Sequence, residues 1–242
     1  MKMDIPEKAA MVIKELMNQG FEAYAVGGCV RDSILGRQPE DWDITTSARP
    51  EQVKQIFPRT VDTGIEHGTV TVLMDKESFE VTTYRVDGEY EDHRHPKAVT
   101  FTASLEEDLK RRDFTINAMA YNPETGLVDI FHGIEDLEQG VIRCVGDPEA
   151  RFDEDALRIL RAIRFSAQLG FRIDEATTGH VRKGSRPEGS QRGTHSGRTG
   201  ETTYIKASGI YPGGLPAWYY PGDFTGIRPY CRRGSAYAES YI

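Results

Sequence analysis

The 242-residue chain is 38% hydrophobic and 28% charged, which supplies a core for one large domain or a compact domain with an accessory piece. Its formal charge of −8 argues against a uniformly basic RNA-binding surface and leaves local clusters, Lys110-Arg111-Arg112 and Arg158, Arg161 and Arg164, to handle phosphate. The sequence has no run of about eighteen apolar residues, no charged-then-apolar start and no Cys-x-x-Cys pair among Cys29, Cys144 and Cys231, so a cytoplasmic protein without membrane span, disulfide framework or zinc site is expected.

Residues 4–20 predict an amphipathic helix. Asp4 is its expected cap, Pro6 suits the first turn, and Ala9, Val12, Ile13, Leu16 and Met17 recur at helical spacing. Gly20 stands where a left-handed residue would end it. A strand at 22–26 runs into Gly27-Gly28, and a helix follows at 30–35. Asp41-Trp42-Asp43-Ile44-Thr45 alternates polar and apolar residues as a strand does, and 50–57 returns to helix. Two β-rich runs, 67–74 and 79–84, are joined by Asp75-Lys76-Glu77-Ser78 and predict a hairpin. Ser104-Leu105-Glu106-Glu107 reads as a capping box that opens a helix near Leu105. Residues 151–169 predict one continuous helix, with Leu157, Leu160, Ala162, Ile163 and Phe165 among charges. From Gly184 onward there are eleven glycines, five prolines, one leucine and no valine. Such a segment buries too little apolar area to offset its ordering entropy, and irregular or disordered chain is expected. The fold class expected is α+β, with a small mixed sheet over 1–145, a helical region over 146–183 and an irregular segment over 184–242.

The chemistry concentrates in Gly27-Gly28, Arg31-Asp32 and Asp41-Trp42-Asp43, in that order. Residues two apart on a strand share a face, so Asp41 and Asp43 would present two carboxylates side by side. Hard oxygen donors at that spacing suit magnesium, with substrate phosphates completing the shell. Glycines between a strand and a helix let backbone N–H groups approach a triphosphate, and Arg31 sits one turn further on as a charge-assisted donor. For Arg111-Arg112 the alternatives are a solvated helix end or one arginine reaching the nucleotide, and spacing does not choose between the two arginines. Asp155, Arg158, Arg161 and Arg164 recur along one helical stripe, which spacing alone reads as a salt-bridged solvent face. Glu80 is either an outward strand residue or a third acidic group beside the pair. His67 is expected to support a loop, and Asp113 and Asn117 to organise the turn that positions Arg112.

Taken together, Val26-Gly27-Gly28-Cys29-Val30-Arg31-Asp32, Asp41-Trp42-Asp43-Ile44, His67-Gly68-Thr69-Val70, Phe79-Glu80-Val81-Thr82-Thr83, the run 107–118 through Arg111-Arg112-Asp113-Phe114, and Glu154-Asp155-Ala156-Leu157-Arg158 are similar to the class II tRNA nucleotidyltransferases, the CCA-adding enzymes, and to bacterial poly(A) polymerases. The resemblance covers roughly 1–182. It implies a polymerase-β-like head in which Asp41 and Asp43 bind Mg2+. It also implies that Gly28, Arg31 and Arg112 contact the incoming nucleotide, that Asp155, Arg158, Arg161 and Arg164 form a nucleotide-selecting surface on a neck helix, and that CTP, ATP and the 3′ end of tRNA are the partners. The function implied is template-independent CMP and AMP addition by a two-metal route. A bacterial poly(A) polymerase, or a chain that folds and binds nucleotide without efficient transfer, are the alternatives. The family continues as helix where this sequence turns glycine-rich, and a reading-frame shift near codon 183 is the expected cause.

Overall fold

In the computed structural model, helix α1 spans Glu7–Asn18 and buries Ala9, Val12, Ile13 and Leu16, four of the five positions picked out by the helical period, with Met17 packed at the margin. The residue that precedes the helix is Pro6 rather than Asp4, and no side chain caps it. Gly20 adopts φ +86°, the left-handed turn that ends the helix. The residues described are 2–88 and 99–184, and all lie within one unit, 1–187. The expected irregular segment, apart from Gly184, and the proposed frame shift's downstream sequence lie outside the described residues.

Strand β1 (Ala23–Val26) leads through Gly27 into α2 (Gly28–Ile34). Then come β2 (Ile44–Thr46), α3 (Pro50–Ile56), β3 (Thr60–Gly64), β4 (Thr69–Met74) and β5 (Glu77–Thr83). A small ribbon pairs β6 (Arg85–Asp87) with β7 (Val99–Phe101), and α4 (Leu105–Lys110) follows. Next are β8 (Ala120–Asn122), β9 (Gly126–Val128), α5 (Gly133–Gln139) and β10 (Val141–Ile142). The last described elements are α6 (Pro148–Glu154), α7 (Leu157–Leu169), β11 (Arg172–Ile173) and α8 (Glu175–Gly184).

The main sheet has seven strands in the order β3-β4-β5-β2-β1-β8-β9. Only β2 and β5 run parallel; the other neighbours are antiparallel, so the sheet is mixed, as expected. The predicted hairpin forms with Thr69 opposite Thr82 and Met74 opposite Glu77. Its connection is the two residues Asp75 and Lys76, tighter than the four read from sequence, with Asp75 at φ 56°. One face of the sheet packs on α1 and α3, where Ala23, Ala25, Ile44, Val53, Val70, Val72, Phe79 and Val81 join the main core. On the other face α4 packs at one end, where Leu109 meets Val26 and Ala120. The polar residues of the candidate site belong to that same face.

Three expectations are corrected by the coordinates. Strand β2 begins at Ile44, not at Asp41, because only from Ile44 does the chain pair with both β1 and β5. The segment before it still follows the sheet, since the Asp43 carbonyl accepts from Val26 N–H at 3.0 Å. The helix expected over 151–169 is two helices. Asp155 takes extended angles (φ −143°, ψ 103°) that end α6, and its Oδ1 accepts from Leu157 N at 2.8 Å at the start of α7. The capping box at Ser104 is half formed. Ser104 Oγ accepts from Glu107 N at 3.3 Å, but the Glu107 carboxylate takes the Thr102 hydroxyl instead of reaching back.

The expected boundary at 145/146 falls in the turn between β10 and α6. Beyond it the chain is mainly helical, with β11 returning to pair in parallel with β10. No described helix is long and apolar enough to cross a membrane.

Candidate active site

The polar end of the sheet is assembled by register. Ile44 lies opposite Val81, and both are buried toward the α1 side. One residue earlier on each segment, Asp43 and Glu80 therefore face the other way, toward the face on which α4 packs. Trp42 is buried, while Asp41 and Asp43 on either side of it are exposed, which directs both carboxylates away from the core. Burial of its carboxyl first, and then the charges of Glu80 and Asp41, push Asp43 above the ordinary aspartate range, against the opposing pull of Arg112. Glu80 is thus a third acidic neighbour of Asp43 and an outward strand residue at once. Among the described residues, no group of three or more His, Cys, Asp or Glu side chains is arranged to hold a metal ion by itself.

Beside these carboxylates lies the glycine turn. Gly27 adopts φ 82° and ψ −130°, a conformation that only glycine takes without strain. A Cβ at Gly27 would stand 3.4 Å from Arg112 Nη1, and one at Gly28 would stand 3.6 Å from Arg31 Nη2. Two guanidinium groups therefore close over the two glycines, and this approach depends on their lacking side chains. Of the pair that spacing left open, Arg112 is the one that feels Asp43 and covers the turn. Its Nε is buried without a hydrogen-bond partner.

What aims Arg112 is Asp108, a residue the sequence reading did not single out. Asp108 is fully buried on α4. Its Oδ2 accepts from Arg112 Nη2 at 3.2 Å and Thr45 Oγ1 at 3.1 Å, and its Oδ1 accepts from Arg111 Nε at 3.0 Å and Nη2 at 2.9 Å. Burial alone would raise its pKa, but the charges and hydrogen bonds of Arg112 and Arg111 outweigh it and hold the carboxyl below the ordinary range. An i, i+3, i+4 spacing of Asp108, Arg111 and Arg112 on a helix was the available signal.

Arg31 is equally fixed. Asp32 grips it through Nε and Nη2 at 2.9 and 2.8 Å, and Asn117 Oδ1 accepts from its Nη1 at 2.7 Å. Asn117 therefore positions Arg31 rather than Arg112. Asp113 serves α7: its Oδ1 accepts from Phe114 N at 2.9 Å, and its Oδ2 from Arg161 Nε at 2.6 Å. His67 sits in a short 3-10 turn between β3 and β4, in keeping with a supporting role.

The remaining predicted residues come together only in part. Arg161 and Arg164 on α7 meet Arg31 around the ring of Phe165. Arg158 is buried and turned the other way, with Nη1 on Glu154 Oε2 at 2.8 Å and Nη2 on the Arg111 carbonyl at 3.2 Å. Asp155 lies before the helix rather than on it, its carboxylate spent on the α7 start. Asp155 and Arg158 are thus engaged by different partners, Asp155 by the Leu157 N–H and Arg158 by Glu154 and the Arg111 carbonyl.

A mixed sheet with this helix arrangement is the polymerase-β-like head of a nucleotidyltransferase. The chain belongs to the poly A polymerase head domain family, which matches residues 23–143. It is 56% identical over 174 residues to the CCA-adding enzyme of Lactobacillus helveticus, covering 72% of this chain and 44% of that protein. It is 58% identical over 171 residues to the CCA-adding enzyme of Enterococcus faecalis, covering 71% and 42%. Among solved structures, the Bacillus stearothermophilus CCA-adding enzyme in complex with CTP aligns with a TM-score of 0.66 at 47% identity, over 72% of this chain and 42% of that one. The Thermotoga maritima CCA-adding enzyme complexed with tRNA aligns with a TM-score of 0.61 at 30% identity, over 75% and 43%. The chain thus spans less than half the length of the curated relatives it matches.

Proposed function

We propose that this chain forms the head and the start of the neck of a template-independent nucleotidyltransferase that adds CMP and AMP, from CTP and ATP, to the 3′ end of tRNA. The observation that carries the proposal is the row of Asp41 and Asp43, Arg112 over Gly27, and Arg31 over Gly28 along one sheet end. The names of the relatives support the reaction, and those of the structural neighbours, which include complexes with CTP, ATP and tRNA, support the substrates.

In this reading Asp41 and Asp43 hold Mg2+. The fit rests on their chemistry: two carboxylates, with the Glu80 charge beside Asp43 adding to the excess of negative charge, suit an ion whose shell the nucleotide phosphates complete. When bound there, the ion supplies activation of the attacking hydroxyl and stabilisation of leaving pyrophosphate. The protein groups do the rest. Arg112 and Arg31 neutralise the triphosphate from the two glycines of the turn, with Arg112 Nη1 over Gly27 and Arg31 Nη2 over Gly28.

Base choice falls to Asp155 and Arg158. Cytosine and adenine each offer an amino donor beside a ring-nitrogen acceptor, matching a carboxylate beside a guanidinium; uracil and guanine offer the reverse. A buried mismatch costs on the order of 1–3 kcal/mol per unpaired group. For this pair to read a base, Arg158 must leave Glu154 and Asp155 must leave the α7 start.

Incubating the chain with tRNA lacking its CCA end, magnesium and labelled CTP and ATP tests the proposal. Incorporation of C followed by a single A is expected, and Asp41→Ala or Asp43→Ala should lower it on the order of a thousandfold. Long A tracts would transfer the chain to poly(A) polymerase activity. No incorporation, with an unfolding temperature indifferent to magnesium and CTP, would sink both.

A further inference from the structure

Phe165 is buried in α7, 7% exposed, and sets its ring edge-on to Phe114 at 5.9 Å and 87°. Three guanidinium carbons surround that ring: Arg31 at 5.2 Å, Arg161 at 5.3 Å and Arg164 at 5.2 Å. Three cations converging on one aromatic ring repel one another, and their carboxylate partners do not balance them. Asp32 offsets Arg31 and Asp113 offsets Arg161, while Arg164 is exposed. The cluster carries a surplus of positive charge held against the ring's negative face. It also lies next to the glycine turn, because Arg31 belongs to both: its Nη2 closes over Gly28 while its guanidinium rests on Phe165.

We propose that Phe165 is a positioning residue for nucleotide binding: its ring gathers Arg31, Arg161 and Arg164 into one seat for the triphosphate at the junction of α2 and α7. This rests on the nucleotidyltransferase reading above. The ring supplies two things that an aliphatic side chain of similar size does not. It attracts the guanidinium groups electrostatically, and as a flat body set edge-on to Phe114 it adds to the hold of Asp32, Asn117 and Asp113 without using any N–H donor itself. The donors those three side chains do not take remain for phosphate oxygens. The same contact couples the head to α7, so a nucleotide that engages Arg31 would also feel the state of the neck helix.

The test is binding of CTP and, separately, of inorganic tripolyphosphate to the full chain by calorimetry, with unfolding midpoints recorded for every variant. Phe165→Leu is expected to weaken both ligands about three- to tenfold. Because this change also removes core packing, the deciding series replaces Phe165 by mono-, di- and trifluorophenylalanine. These keep the ring's shape while draining its negative face. Affinity for tripolyphosphate should fall stepwise with each fluorine at an unchanged unfolding midpoint. Constant affinity across the series would overturn the role of the ring while leaving the nucleotidyltransferase reading intact. Failure of the unsubstituted chain to bind CTP would instead remove that reading, and this one with it.

Discussion

At the scale of single residues, the site sets like charges side by side, Asp43 between Asp41 and Glu80. Asp43 has a folded-state pKa above its unfolded value. Its contribution therefore favours the fold below the ordinary aspartate range and is lost as pH rises through the raised value; at neutral pH the ionised group opposes folding. Asp43→Asn should raise the unfolding temperature at pH 7, a gain that fades toward pH ~3, where both states are protonated. The same variant should abolish nucleotide addition. Thermal melts across pH check the first part, and a lowered melting temperature at pH 7 would mean that attraction to Arg112 outweighs the repulsion. The cysteines take no part in this chemistry: burial, with the nearby Asp43 charge adding to it, pushes Cys29 up to about 11, and burial pushes Cys144 up to about 12, leaving both as protonated thiols.

At the scale of elements, legibility followed the length of the repeat. Helix α1 announced itself through five positions at helical spacing, and the β4–β5 hairpin through two β-rich runs around a polar turn. The short strands β8 to β11, two or three residues each, offer no period to read. Strand β3, at the sheet edge, is mostly exposed and so lacks apolar alternation. The break between α6 and α7 was missed because the apolar pattern continues across it. Asp155, two residues before Leu157, was the available sign, an aspartate able to accept from a backbone N–H ahead of a periodic run. The β1–α2 turn was read as a place where backbone approaches a triphosphate; in the fold it is two guanidinium groups that approach the glycines, and the turn can be tested directly. Gly27→Ala places a side chain at φ 82° and 3.4 Å from Arg112. A loss of about 1–3 kcal/mol in denaturant unfolding is expected, with weaker CTP binding; an unchanged protein would show that the turn relaxes freely.

At the scale of the whole molecule, Asp108 ties the sheet to the site. Its carboxylate joins Thr45 of β2, the Arg85 N–H that opens β6, and Arg111 and Arg112 just after α4. With a folded pKa below its unfolded one, it stabilises the protein above the ordinary aspartate range and ceases to do so as pH falls through the lowered value. Asp108→Asn should cost about 2–4 kcal/mol at pH 7, since it removes the buried carboxylate charge that holds Arg112 and Arg111. Urea unfolding measures that loss, and CTP binding should weaken in parallel as Arg112 loses its aim. A variant as stable as the parent would refute this assignment.

The sequence by itself determined the acidic pair, the glycine pair, the main helices and the family, because each is written in short spacings or in ordered strings of residues. It did not determine which arginine covers the glycines, that Asp108 holds it, that Arg158 turns inward, or that three arginines meet on Phe165. The Asp108–Arg112 and Glu154–Arg158 pairs are four residues apart, so their spacing was on the page, but not which face of the helix meets the site. Arg31 with Asn117 and Arg161 with Asp113 are tens of positions apart. Only the tertiary fold brings such segments within hydrogen-bond reach, and local sequence pattern carries no record of that distance.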